Sequence, residues 1–169
     1  RADGGWGWCF APRTDPYLTA YVLLGLTKAQ DAGYGVTSAV LEKGIAYLTR
    51  QLRAATRLTS AGDVNRQAFF LYVLAENGED VTVSLDEMFN SRRDLLDPYA
   101  QALLALAYEL TSNGGDNQQA LLSDLSNSVI ISATGAHWED GEPDWYNLNS
   151  DIRGTSMILD AFARIDPTN

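Results

Sequence analysis

The sequence predicts an all-α fold, an α/α toroid of antiparallel helix hairpins whose inner and outer helices form an incomplete ring. Three observations predict it: four apolar segments repeat in phase, amphipathic segments of helical period lie between them, and strand patterning is confined to one short stretch. The repeated segments are DPYLTAYVLLGL from Asp15, DVNRQAFFLYVL from Asp63, DPYAQALLALAY from Asp97 and DIRGTSMILDAF from Asp151. Each opens on Asp. Thr19, Gln67, Gln101 or Thr155 follows at one fixed offset, and Ala20, Ala68, Ala102 or Ser156 comes directly after it. Self-similarity of this kind marks stacked units that bury their apolar faces against one another.

Taken in order, the first inner helix opens at Asp15, whose carboxylate accepts orphan N–H groups of the first turn and complements the helix dipole. Pro16 follows at a position where a missing N–H costs nothing, and Asp97–Pro98 repeats the device. The body VLLGL is apolar nearly all round, as is ALLALA after Asp97, which is the pattern of a buried helix. Between the inner helices, Thr37 to Leu52 sets Val40, Leu41, Ile45, Leu48 and Leu52 against Glu42, Lys43, Arg50 and Gln51. Ser84 to Leu96 sets Leu85, Met88, Phe89 and Leu95 against Asp86, Glu87, Arg92 and Arg93, and Asp116 to Leu125 carries Leu121, Leu122 and Leu125 on one stripe. Each of these has one wet face and reads as an outer helix. Gly33, Gly35, Gly78, Gly114 and Gly115 are the expected stops. SVIIS, Ser128 to Ser132, reads as a short strand. The order is inner, outer, inner, outer, inner, outer, inner, which is too few hairpins to close a ring of six.

Composition narrows the function classes. A chain of 169 residues with 46% hydrophobic and 20% charged residues is one globular domain. Its net charge of −10 argues against nucleic acid and anionic membranes, because phosphate binding needs clustered Lys and Arg. Arg92–Arg93 is the one adjacent basic pair and sits on a solvated face. No apolar run approaches the roughly 20 residues that span a bilayer. Cys9 is the single cysteine, so no internal disulfide forms, and cysteine usage does not decide the compartment. The chain opens at Arg1 inside a motif-like segment, which reads as a piece of a longer polypeptide.

Two tryptophan-bearing loops precede inner helices: DGGWGW, with Trp6 and Trp8, and TGAHWEDGEPDWYNLNSD, with His137, Trp138, Glu139 and Trp145. In such a stack the inner helices run the same way, so both loops are expected at one pole, where four Asp caps converge. Trp6, Trp8, His137, Trp138, Glu139 and Trp145 are therefore the candidate binding residues. The aromatics fit a stacking platform for a sugar or apolar ligand, but they fit better as braces that fix one hairpin on the next. Asp3 paired with Glu139 or Asp140 fits the two carboxylates of a glycosidase; Asp3, Asp140 and Asp144 beside Gly4, Gly141 and Pro143 also fit simple turns. A lone His with no cysteine partner and no HxxH spacing gives no metal-ligand pattern, and no glycine-rich phosphate loop follows a strand, so no metal or cofactor is expected. No catalytic residue is assigned.

DGGWGWCFAPRTDPYLTAYVLLGL followed by TGAHWEDGEPDWYNLNSDIRGTSMILDAF resembles the thioester domain of bacterial α2-macroglobulin-like proteins and, more distantly, that of the complement components. DGGWG by itself also resembles the loop motif of triterpene cyclases, which brace α/α barrels with it. The macroglobulin resemblance runs over most of the chain and implies that residues 1–169 are a central portion of such a toroid. It implies a large secreted, periplasmic or cell-surface protein that traps proteases, in which bait cleavage exposes an internal thioester that acylates the attacker. The implied partners are target proteases and other domains of the same polypeptide. In that family the thioester is built from Cys and Gln of a CxEQ motif upstream of the DGGWG-like loop. No CxEQ stands in this sequence, and Cys9, in WCFAP, does not match that motif. The expectation is a non-enzymatic segment whose aromatic pole shields a thioester supplied from elsewhere. The alternative is an α/α-barrel carbohydrate-active enzyme or carbohydrate-binding module built on Asp3, Glu139 and the tryptophans.

Overall fold

Seven α-helices account for most of the chain in a computed structural model that describes residues 1–9, 12–133, 135–140 and 146–168. They are α1 (Pro16–Asp31), α2 (Ser38–Gln51), α3 (Ala61–Glu76), α4 (Thr82–Arg92), α5 (Pro98–Thr111), α6 (Gly115–Ser128) and α7 (Asp151–Ile165). The fold is all-α. Strands β1 (Ile130–Ser132) and β2 (Gly135–His137) pair antiparallel, with Ile130 opposite His137. Part of SVIIS is thus a strand; its partner, GAH, carries no strand signal of its own.

The inner starts divide into two kinds. Asp15 accepts a hydrogen bond from the Leu18 amide at 3.0 Å, and Asp97 from the Ala100 amide at 2.7 Å, each capping its helix as expected. Asp63 and Asp151 do not cap. Ser60 takes the Asp63 amide at 3.1 Å and Ser150 the Arg153 amide at 3.4 Å, so those two Asp residues lie within the first turn. There they still complement the helix dipole. The stops also differ in part from expectation. Gly33 and Gly78 follow α1 and α3 with φ of 86° and 80°, a region that favours glycine. α5 instead ends on Ser112 in the left-handed region, and Gly114 and Gly115 open α6.

α1, α3, α5 and α7 pack side by side as an inner row, while α2 lies on α1 and α3, α4 on α3 and α5, and α6 on α5. The two central members are buried on almost every side: Val64, Ala68 and Phe69 through Ala75 on α3, and Tyr99, Ala100 and Ala102 through Tyr108 on α5. α1 and α7 each leave apolar side chains in solvent, among them Tyr21, Ile152 and Leu159.

The row bends. Four helices laid flat at about 8–10 Å spacing would put α1 and α7 roughly 25–30 Å apart. Yet Arg153 of α7 donates to the Tyr17 hydroxyl of α1 at 2.8 Å. At the opposite end, Glu76 of α3 accepts from Lys28 of α1 and from the Tyr72 hydroxyl at 2.7 Å, with Arg164 of α7 at 3.6 Å. Burial alone would raise the pKa of Glu76; the hydrogen bonds from Lys28 and Tyr72, with the charges of Lys28 and Arg164, outweigh it and hold the carboxyl below its ordinary range.

A depressed folded-state pKa contributes stability that is present above the unfolded value, near 4.5, and lost as pH falls through the folded one. Glu76→Gln therefore flattens the loss of stability on acidification below about pH 4.5, read by urea denaturation at a series of pH values. Gly4 has φ of 91°, and an added Cβ would overlap the Lys43 carbonyl of α2. Gly4→Ala should destabilise the fold by about 2 kcal/mol or more, measured as a shift in urea midpoint.

Candidate functional site: the N-terminal pole of the inner helices

DGGWGW is built as a brace. Asp3 accepts from the Gly5 amide at 3.2 Å and from the Thr14 hydroxyl at 2.6 Å, closing an Asx turn. Those hydrogen bonds, Thr14's foremost, hold its carboxyl below the usual range. The Trp6 amide donates to the Thr19 hydroxyl at 2.9 Å, and the Trp6 carbonyl accepts from the Asp15 amide at 2.8 Å. The loop is thereby pinned to the start of α1. The Trp6 ring rests on Gly44 of α2, where a Cβ would come within 2.9 Å of it. Trp6 thus fastens α1 to α2. Trp8, two residues on, has no such seat and is 58% exposed.

The second loop divides in the same way. Trp138 is 5% exposed; its indole N–H donates to the Leu125 carbonyl at 2.7 Å and its ring stacks on Phe162. Its backbone amide donates to the Thr155 hydroxyl at 3.1 Å. Trp138 therefore joins the end of α6 to the body of α7. His137 ends β2 with Nε2 3.0 Å from a Glu139 carboxylate oxygen, and both side chains are partly exposed. Asp140 accepts from the Asn149 amide group, and its own N–H donates to Asp151 at 3.1 Å. Asp3 and Glu139 thus have separate partners, Thr14 and His137. Trp145 and Asp144 lie outside the described residues, as do Gly141, Glu142 and Pro143.

The pole itself is held by residues the sequence did not single out. Asn147 is 3% exposed. Its side chain accepts from Arg66 Nε at 2.9 Å and donates to the Gly62 carbonyl at 2.9 Å, both on α3. Its carbonyl accepts from the Tyr17 hydroxyl of α1 and from Arg153 Nη1 of α7 at 3.3 Å. Asn65 of α3 completes the ring by donating to Asp97, the cap of α5, at 2.7 Å. All four inner helices therefore present their N-terminal ends to one hydrogen-bonded cluster, as the parallel inner row requires. Arg66 lies 3.3 Å from the centre of the Tyr146 ring. Arg153 is enclosed by Tyr99, Phe69 and Tyr21 at 4.7, 5.6 and 5.7 Å. Cation–π contacts of this kind hold a guanidinium where water is scarce. Beneath it, burial pushes the Tyr99 hydroxyl above the usual phenol range, and that hydroxyl has no hydrogen-bond partner among the described residues.

Leu148 follows Asn147 with φ of 51°, and its carbonyl accepts from Arg153. It lines a cleft of about 360 Å³ with Trp8, Tyr17, Leu18, Tyr21 and Arg153. The two tryptophan loops do share this pole. Trp8 and the stretch after Trp145 meet at its mouth, whereas Trp6 and Trp138 are spent on packing. Among the described residues, no group of His, Cys, Asp and Glu is arranged to hold a metal ion.

Fold and site together define a class: an inner row of parallel helices, backed by outer helices and pinned at one pole, with an apolar cleft over an arginine. The chain is similar to bacterial α2-macroglobulins, in fold over nearly its whole length and in sequence over a shorter stretch. It is 46% identical over 48 residues, 28% of its length, to α2-macroglobulin of Thermotoga maritima. Its fold superimposes on Salmonella α2-macroglobulin reacted with methylamine, at a TM-score of 0.72 and 21% identity over 95% of the chain. It also superimposes on native Escherichia coli α2-macroglobulin spanning domain MG7 to the C-terminus, at 0.74 and 20% over 96%. The chain spans 3% of the Thermotoga protein, 10% of the Salmonella chain and 25% of the Escherichia coli one. No family model matches the sequence. Among the described residues, no helix is long and apolar enough to cross a membrane.

Asn147→Ala removes the acceptor of the Arg66 Nε–H, one of the donors to the Gly62 carbonyl and the side chain that fills the centre of the pole, and losing buried hydrogen bonds of this kind costs about 1–3 kcal/mol. A loss of about 2 kcal/mol or more in urea unfolding is expected, with near-ultraviolet dichroism of the tyrosines changing alongside it.

Proposed function

We propose that this chain is the central portion of a macroglobulin-type thioester domain, and that its aromatic pole houses an internal thioester carried by another part of the same polypeptide. The observation that carries the reading is the pole: four helix N-termini tied together, three by Asn147 and the fourth by the Asn65–Asp97 bond, with Trp8, Tyr21 and Leu148 left in solvent around a cleft. A reactive acyl group survives in water only where water is excluded, and exposed apolar groups gathered beside a rigid floor supply such a cover. The macroglobulin likeness supports the same assignment, since 95% of the chain superimposes on a protein described as reacted with methylamine.

In the parent protein this module serves an endopeptidase inhibitor. Cleavage by the target protease uncovers the thioester, and a nucleophile on the protease attacks its carbonyl. The acyl bond to sulfur breaks, the cysteine leaves as a thiol, and the protease is held covalently. The chain then contributes no catalytic group; Trp8 and the polar pin act as housing, with His137 and Glu139 on the adjoining hairpin. A toroid completed by further hairpins accounts for the open faces of α1 and α7. The protein works outside the cytoplasm, in the periplasm, at the cell surface or in the medium, where foreign proteases are met. The carbohydrate reading is weaker, because Asp3 is committed to a turn with Thr14 and Gly5.

The test extends the protein upstream to include the CxEQ segment and adds methylamine. One methylamine incorporated and one thiol released per chain is the expected result. A longer protein that takes up no methylamine and releases no thiol overturns the assignment.

A further inference from the structure

Leu148 breaks a local rule. Glycine and asparagine are the residues that enter the left-handed region readily, and a leucine there costs about 1–2 kcal/mol. It is held at φ of 51° because both of its flanks are clamped: Asn147 by α1, α3 and α7, and its own carbonyl by Arg153. The strain does not serve packing, since the side chain is 56% exposed. It faces the cleft it shares with Trp8 and Tyr21, themselves 58% and 56% exposed. Backbone strain concentrates where a side chain must be aimed at a ligand.

The floor of that cleft has its own chemistry. Among the described residues, no carboxylate lies within ion-pair distance of Arg153, although the chain carries a net charge of −10. Its hydrogen bonds run from Nη1 alone, to Tyr17, Asn147 and Leu148. A guanidinium has five N–H donors, so Nε and Nη2 are left without a protein acceptor among the described residues. The described acidic residues at the starts of the inner helices are otherwise engaged. Asp15 caps α1, Asp97 caps α5 and holds Asn65, Asp63 meets Arg53 and Tyr146, and Asp151 takes the Asp140 amide. At about 360 Å³ the cleft falls near the lower end of small-molecule sites, which run from roughly 300 to 1,000 Å³.

We propose that the cleft between Trp8 and Leu148 binds a small organic carboxylate with an apolar body. The carboxylate pairs with Nε and Nη2 of Arg153, and the apolar body lies between Trp8, Tyr21 and Leu148. A guest of this chemistry supplies the anion Arg153 lacks and covers apolar surface that is otherwise wet. The site shares the pole proposed to house the thioester, and binding to this chain alone tests it separately from methylamine uptake by a longer protein.

The experiment titrates the protein with hexanoate, and in parallel with hexanamide, while tryptophan fluorescence is followed. A saturable response to hexanoate, at least roughly tenfold weaker for the amide, is expected, because a charge-assisted bond to arginine is about twice as strong as a neutral one. Trp8→Phe should abolish the response. Leu148→Gly should weaken binding roughly tenfold while leaving the melting temperature unchanged or higher, since glycine accepts the left-handed backbone. No saturation, equal affinity for acid and amide, or an undiminished response in Trp8→Phe or Leu148→Gly overturns the proposal.

Discussion

A buried polar side chain must find partners within the fold, and Asn147 finds them on helices far apart in sequence. Its amide meets both a donor and an acceptor on α3, while its carbonyl takes donors from α1 and α7. Hydrophobic burial is non-directional and would tolerate several curvatures of a four-helix row. Hydrogen bonds tolerate far fewer. The pin converts a stack of hairpins into an arc of one shape, and the cleft over Arg153 exists because that arc brings α1 and α7 together. At the other end Glu76 makes a second clamp from Lys28 and Arg164, so the curvature is set at both ends of the row.

Around this frame the aromatic residues divide their labour. Trp6 needs Gly44 beneath it, and Trp138 needs the Leu125 carbonyl and Phe162; both are structural ties between an inner helix and its neighbours. Trp8 and Leu148 stay outside, on backbone that the same ties make rigid. That division suits a housing better than a catalytic centre. Rigid apolar walls exclude water, and among the described residues the pole sets no nucleophile beside a base.

Much of this was legible in the sequence. The four phased segments predicted the inner helices, and Asp15–Pro16 and Asp97–Pro98 marked two starts correctly. Asp63 and Asp151 misled because an acidic residue suits both the cap and the first turn; Ser60 and Ser150, just upstream, are the better-placed caps. The shared pole could be inferred from the parallel inner helices. The division among the tryptophans could not, because Gly44 and Leu125 signal nothing until they meet the rings. Tyr17, Arg66, Asn147 and Arg153 were missed for the same reason. Their partners lie up to 136 positions away, and nothing in YNLNSD distinguishes a buried pin from a polar turn. Leu148 was hidden because leucine does not advertise a left-handed backbone.

The separation of those partners bears on how the molecule assembles. Each inner–outer pair is local in sequence, so hairpins can form and stack on neighbours without large loop-closure cost. The contacts between Tyr17 and the 147–153 segment close loops of 130 and 136 positions, and closure of that length is entropically late. The pole is therefore the last part of the arc to be completed. It is also where the backbone opens at the smallest cost, because releasing Asn147 and Arg153 frees the ends while the central pair, α3 and α5, stays buried. Amides of residues 146–150 then exchange through local opening, and those of α3 and α5 only when the whole arc unfolds. The most rigidly specified corner of the native structure is in this sense also its hinge.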